Sequence, residues 1–129
     1  MSLRLLIVDD NAPFLEAATR VLEADGLQVV GVASTIDEAL VRAQELRPDV
    51  VLVDVNLGAE DGAELAGLLT DPAGTGPHRV ILISTYPVQD LADLVETLPG
   101  VGLLSKAQLS GTAVRELVEP YDRLGGGTP

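Results

Sequence analysis

The sequence predicts an α/β fold, a (βα)5 three-layer sandwich built on one five-stranded parallel sheet. Two observations carry this expectation. Five short runs, residues 3–8, 27–33, 50–55, 79–84 and 101–104, are apolar at nearly every position, as strands covered on both faces must be. Between them lie segments whose apolar residues recur at helical spacing. Right-handed crossovers between parallel strands then require helices on both faces of the sheet.

Each element has its own signal. After the first strand, Phe14, Leu15, Ala18, Val21 and Leu22 share one face of a first helix, with Pro13 in its opening turn and Gly26 just past its end. After the second strand, Ile36, Ala39, Leu40, Ala43 and Leu46 line a second helix that Pro48 closes. Leu65, Leu68 and Leu69 mark a short third helix capped by Asp61. Residues 71–78 hold two Pro and two Gly and read as a loop before the fourth strand. Leu91, Leu94, Val95 and Leu98 line a fourth helix, from near Pro87 to just before Pro99 and Gly100. Val114, Leu117 and Val118 belong to a fifth helix, ending around Pro120. With 129 residues, 47% of them apolar, the chain suits a single domain, assigned to residues 1–124, followed by a flexible Gly-rich tail at 125–129.

Composition closes several functional classes. Twenty Asp and Glu against eight Lys and Arg give a formal charge of −12, a surface that repels nucleic-acid phosphate, so no direct nucleic-acid partner is expected. The absence of Cys removes thiolate zinc sites and thiol catalysis, and a single His excludes a two-His metal motif within the chain. Neither a Gly-x-Gly-x-x-Gly fingerprint nor a P-loop is present. The first apolar run meets Asp9 and Asp10 too early for a signal core, and no apolar stretch reaches membrane-spanning length. A cytoplasmic protein without a membrane partner is the expectation.

In a sheet of this kind the functional crevice lies outside the carboxyl ends of the strands, where the strand order reverses. Few polar residues fall there. The first strand runs into Asp9, Asp10 and Asn11, and the third into Asp54, Val55 and Asn56. The fourth closes on Ser84, Thr85 and Tyr86, and the fifth on Ser105 and Lys106. Singly, each has an ordinary explanation: a helix cap, a turn carboxylate, a solvated Lys, a strand-end hydroxyl. Their conjunction on one rim is far less ordinary. Clustered carboxylates repel one another, and a bound cation relieves them. An all-oxygen set with few protein ligands suits Mg²⁺ or Mn²⁺. The lone His78, in a Gly/Pro loop, reads as a solvated residue, and the Leu stripes read as core packing.

At these residues the chain resembles the receiver domains of two-component response regulators, over residues 3–124. The resemblance rests on Ile7-Val8-Asp9-Asp10-Asn11, Asp54 closing Val-Leu-Val, Asp61-Gly62, Ser84 and Lys106. It implies a flavodoxin-like sheet with strand order 2-1-3-4-5. It also implies that Asp54 accepts a phosphoryl group from a phosphohistidine on a sensor histidine kinase or phosphotransfer protein. Asp10, Asp54 and the backbone carbonyl of Asn56 would hold Mg²⁺, with Asp9 acting through water. Lys106 would pair with the phosphoryl oxygens, and Ser84 would bond one of them after the switch. Asn56 and Tyr86 would flank the water that removes the phosphate, Asn56 orienting it and the Tyr86 ring obstructing it; Tyr86 reads equally as a loop aromatic that covers part of the core. A downstream partner would read the face made by the fourth helix, fifth strand and fifth helix, and a homodimer is left open.

The chain departs from the family pattern at three positions. Gly58 stands where many members have Pro, Ala107 follows Lys106 where many have Pro, and Leu103 replaces the aromatic that moves with the switch. None touches the metal or phosphoryl chemistry, but Leu103 puts the aromatic route of signal propagation in question. Two other functions compete. A pseudo-receiver would keep the fold as a docking surface without phosphorylation, which the intact Asp10, Asp54, Ser84 and Lys106 argue against. A dehalogenase-type phosphohydrolase would need a second Asp two residues after the nucleophile, where this chain has Asn56. The receiver is therefore expected to act on itself alone and not as an enzyme on other substrates.

Overall fold

A computed structural model of the chain describes residues 3–70, 79–85, 91, 93 and 101–125, with side chains as far as Val118. The described strands are β1 (Arg4–Val8), β2 (Gln28–Ala33), β3 (Val50–Asp54), β4 (Asn56–Leu57), β5 (Glu60–Asp61), β6 (Arg79–Ser84) and β7 (Val101–Ser105). Five of them form one sheet in the order β2-β1-β3-β6-β7, every pair parallel. Counted within that sheet the order is 2-1-3-4-5, the flavodoxin-like arrangement that the resemblance implied. The helices are α1 (Ala12–Ala24), α2 (Ile36–Leu46), α3 (Gly62–Leu69) and α4 (Gly111–Gly125), the last corresponding to the fifth helix of the sequence. The predicted loop at 71–78 and, apart from Leu91 and Asp93, the predicted fourth helix lie outside the described residues.

Alternation along the strands divides the core into two layers. Leu6, Val8, Val51, Val53, Val80 and Leu82 face one side, against Ile36, Ala39, Leu65 and Leu69 of α2 and α3. Leu5, Ile7, Val50, Leu52, Ile81 and Ile83 face the other, against Ala18 and Leu22 of α1 and Val114 and Val118 of α4. Complete burial of such a side chain stabilises the fold by about 1.5–3 kcal/mol. All five residues of β3 are buried, as the continuous apolar run required of the central strand.

Caps hold the helices in register with the strand ends. Asn11 accepts a hydrogen bond from Phe14 N–H (3.1 Å) and starts α1. Thr35 does the same for α2 through Glu38 N–H (3.1 Å), and Glu60 accepts the Ile36 N–H (2.8 Å) from across the fold. Asp61 caps α3, taking the Ala63 N–H at 2.9 Å, as its place in the sequence predicted.

The structure differs from the sequence expectations in the bounds of several strands, in the last helix and in a short hairpin; the first and second strands each begin one residue later than expected. The third strand ends at Asp54, one residue early, and the fifth extends through Ser105. The last helix does not stop around Pro120 but continues to Gly125. A Pro inside a helix removes the hydrogen bond to the carbonyl four residues earlier, here Glu116. The apolar face set by Val114, Leu117 and Val118 fastens the preceding turns to the core and outweighs that loss. Finally, β4 and β5 form an antiparallel pair around Gly58 and Ala59 that the apolar-run reading missed. Gly58 has φ +64°, and Gly followed by another residue is the signature of a two-residue hairpin turn.

Candidate functional site

The carboxyl ends of β1 and β3 lie side by side where the strand order reverses, and backbone bonds fix the residues just beyond each end. Asp9 N–H donates to Ala33 O (2.9 Å), extending the β1–β2 ladder by one residue. Asp54 pairs in register with Ile83, and Val55 N–H donates to Ile83 O (3.0 Å). The chain then folds back so tightly that Gly62 N–H reaches Val55 O at 2.9 Å. A Cβ at Gly62 would sit 1.8 Å from the Asp54 carbonyl oxygen, so only Gly permits this return. Lys106 opens a 3-10 turn (Lys106–Gln108) directly after β7.

These elements bring three carboxylates together. Asp9, Asp10 and Asp54 each offer an oxygen within 4.8 Å of the others. Asp9 and Asp54 are buried, whereas Asp10 is exposed. The Lys106 ammonium donates to Asp54 Oδ2 at 2.9 Å and lies 2.6 Å from Asp9 Oδ2 as an ion pair. The second oxygen of each buried carboxylate accepts a backbone N–H: Asn11 to Asp9 Oδ1 (2.9 Å) and Asn56 to Asp54 Oδ1 (3.0 Å). The buried Asp9 Oδ2 has the Lys106 ammonium as its neighbour.

Burial pushes the Asp9 carboxyl above its ordinary range; Lys106 and the Asn11 N–H oppose that rise, while the Asp54 charge adds to it. Burial works against the Lys106 ammonium, yet its contacts with Asp9 and Asp54 outweigh it and hold its pKa above the ordinary value of 10.5. One ammonium faces three carboxylates, and an all-oxygen cluster with one member open to solvent fits a small, hard divalent cation.

The remaining candidate residues lie around this cluster or apart from it. Ser84 is buried at the end of β6, one register step beyond the Asp54–Ile83 pair and opposite Ser105. Asn56 is exposed in β4. Gly58 lies against the acidic cluster: a Cβ there would come within 3.0 Å of Asp10 Oδ2. Its positive φ explains the absence of Pro, whose ring locks φ near −65°. Leu103 is half-buried and packs on the layer that contains α2 and α3. Tyr86 and His78 lie outside the described residues.

Sequence reasoning missed one neighbour of the site. The Phe14 ring, expected only as core packing, has its centroid 4.2 Å from Lys106 Nζ. The signal was available: Phe14 is the chain's one Phe, three residues after the strand-end Asn11.

Fold and site together define a class, the doubly wound parallel sheet with an acidic cluster and a paired Lys at its switch point. The family model of the response regulator receiver domain matches residues 5–114, and the chain belongs to that family. It is 48% identical over 63 residues to the response regulator GacA of Pseudomonas viridiflava, a match covering 48% of this chain and 29% of that protein. It is 31% identical over 96 residues to a protein-glutamate methylesterase/protein-glutamine glutaminase of Archaeoglobus fulgidus, covering 74% of this chain and 27% of that protein. The chain thus spans less than a third of the length of these relatives. Among solved structures, the signal receiver domain of a modulated diguanylate cyclase from Desulfovibrio desulfuricans G20 is similar, with TM-score 0.75 and 30% identity over 93% of each chain. Among the described residues no helix is long and apolar enough to cross a membrane.

Proposed function

We propose that this receiver is switched by phosphorylation of Asp54, with a phosphohistidine on a sensor kinase or phosphotransfer protein as the donor. The observation that carries this reading is the Lys106–Asp54 contact at 2.9 Å inside a three-carboxylate cluster at the sheet's switch point. Phosphoryl transfer needs positioning and charge neutralisation more than covalent assistance. An Asp54 carboxylate oxygen attacks phosphorus while the P–N bond to the donor imidazole breaks, its electron pair remaining on nitrogen. Asp54 is already held for this by the Asn56 N–H and Lys106. Lys106 then pairs with the phosphoryl oxygens, and Ser84 bonds one of them as the switch closes.

Asp10, Asp54 and the Asn56 carbonyl would hold Mg²⁺ or Mn²⁺, with Asp9 acting through water. The cation, when bound, supplies the positive charge that lets an anionic donor approach three carboxylates. Asn56 and Tyr86 set the lifetime of the phosphorylated state, the amide by orienting the attacking water and the ring by obstructing it. The chemistry is confined to this protein's own phosphorylation and dephosphorylation. The setting is the cytoplasm, and the output is a protein or domain that reads the face assigned to the predicted fourth helix, β7 and α4.

Incubation with Mg²⁺ and a small acyl-phosphate donor, followed by mass spectrometry, tests the reading. One phosphoryl group on Asp54 is the expected result. A folded protein that takes up none would instead be a docking module, and multiple turnover on phosphate esters would make it a phosphohydrolase.

A further inference from the structure

We propose that Phe14 is a positioning residue for Lys106, its ring face holding the ammonium over the acidic site and shielding it from water. The proposal rests on the reading of Asp54 as the phosphoacceptor. Lys106 Nζ lies 4.2 Å from the ring centroid, inside the range of about 6 Å over which a cation is drawn to an aromatic face. The same nitrogen lies 2.6 Å from Asp9 Oδ2 and 2.9 Å from Asp54 Oδ2, so ring and carboxylates share one ammonium. Only 13% of the Lys106 side chain remains exposed.

The ring is placed from within the site. Asp9 Oδ1 accepts the Asn11 N–H, and the Asn11 side chain accepts the Phe14 N–H. Two hydrogen bonds therefore connect the buried carboxylate to the residue that covers its counter-ion. Phe14 also packs on the core layer beneath α1, which limits its freedom to swing away.

A ring face does something another carboxylate cannot. Its attraction for a cation extends over the whole face and brings no further negative charge into a cluster that already holds three carboxylates. When a phosphoryl group arrives on Asp54, the ammonium has to shift toward the new oxygens. It can slide beneath the ring without leaving it. Phe14 thereby limits the search of a flexible side chain in both states.

The test compares Phe14→Leu, which keeps the apolar bulk, with Phe14→Tyr, which keeps the ring. Two readouts are taken: the NMR shifts of the Lys106 ε-methylene, which an overlying ring moves upfield, and the rate of Asp54 labelling by a small acyl phosphate in saturating Mg²⁺. The upfield shift should be present in the wild type, lost in Phe14→Leu and regained in Phe14→Tyr. Labelling should slow about fivefold in Phe14→Leu, equivalent to roughly 1 kcal/mol, and recover in Phe14→Tyr. Wild-type labelling in Phe14→Leu overturns the proposal. So does a loss that Tyr fails to rescue, which would mark a packing role. If no form labels at all, the phosphoacceptor reading fails by itself, and the ε-methylene shift alone decides whether Phe14 holds the ammonium.

Discussion

β3 carries an Asp at each end, and the two are used in opposite ways. Asp49, just before the strand, accepts the Arg4 N–H at 2.9 Å, and its own backbone ties in Arg4 (2.8 Å) and Arg79 (3.0 Å). Arg4 in turn reaches across to Arg47 O at 2.8 Å. That rim fastens three strands and the end of α2 with single, matched contacts. Asp54, at the other end, shares one ammonium with Asp9 while Asp10 crowds the same space. The Asp49 carboxylate closes a fold contact and is satisfied by it, whereas the Asp54 carboxylate sits in a cluster whose charge one ammonium does not balance.

The largest expected effect separates the two ends outright. Asp54→Asn should abolish phosphoryl uptake with the fold intact, whereas Asp49→Asn should label at the wild-type rate, as read by mass spectrometry. Mapping the wild-type phosphate to Asp9 or Asp10 would break the comparison.

Next comes metal affinity. Asp10→Asn should weaken Mg²⁺ binding about tenfold or more, followed by NMR or calorimetry because the chain has no Trp. Without metal, the same variant should be at least as stable as the wild type, since one charge has left the cluster. Unchanged affinity would remove Asp10 from the site.

A smaller effect runs the other way. Asp49→Ala leaves the Arg4 N–H without its acceptor and should cost about 1–2 kcal/mol in urea unfolding, with labelling unaffected. A variant as stable as the wild type would show that the amino rim is not held by this carboxylate.

The smallest effect is on pH dependence. Asp9 is held above its ordinary value of 3.8, so the folded state binds that proton more tightly than the unfolded chain. Its contribution to stability is fully present below 3.8 and is lost as pH rises through the higher folded value. The stability of the metal-free wild type relative to Asp9→Asn should therefore fall across that window, and Mg²⁺ should reduce the fall. A difference independent of pH there would contradict the raised value.

Much of this architecture was legible in the sequence. β1, β3 and β6 are apolar at every interior position because both faces are covered, and continuous apolar runs mark that condition. Asp9, Asp10, Asp54 and Lys106 could be grouped because strand ends are countable and the fold brings those ends to one rim. What escaped was whatever depends on approach in three dimensions. Phe14 sits at a helical core position by spacing, and only the packing of α1 beside the end of β7 puts its ring over Lys106. The β4–β5 pair escaped because two-residue strands are too short to show periodicity, although Gly58-Ala59 marked its turn. Pro120 misled because local helix breaking was weighed without the tertiary contacts of α4.

Gly58 also bears on how the acidic site could be altered. Its backbone turns with φ +64°, and its missing side chain leaves room for Asp10 Oδ2 3.0 Å from where a Cβ would stand. Many receivers carry Pro at this place, and a Pro ring demands φ of the opposite sign. The two solutions cannot be exchanged by one substitution. The obstacle to a side chain at position 58 is therefore mainly the backbone, since the exposed Asp10 carboxylate could give way by a few tenths of an ångström. Whatever replaces Gly58 thus acts on the site through the shape of the β4–β5 turn that carries Asn56, and only secondarily through Asp10.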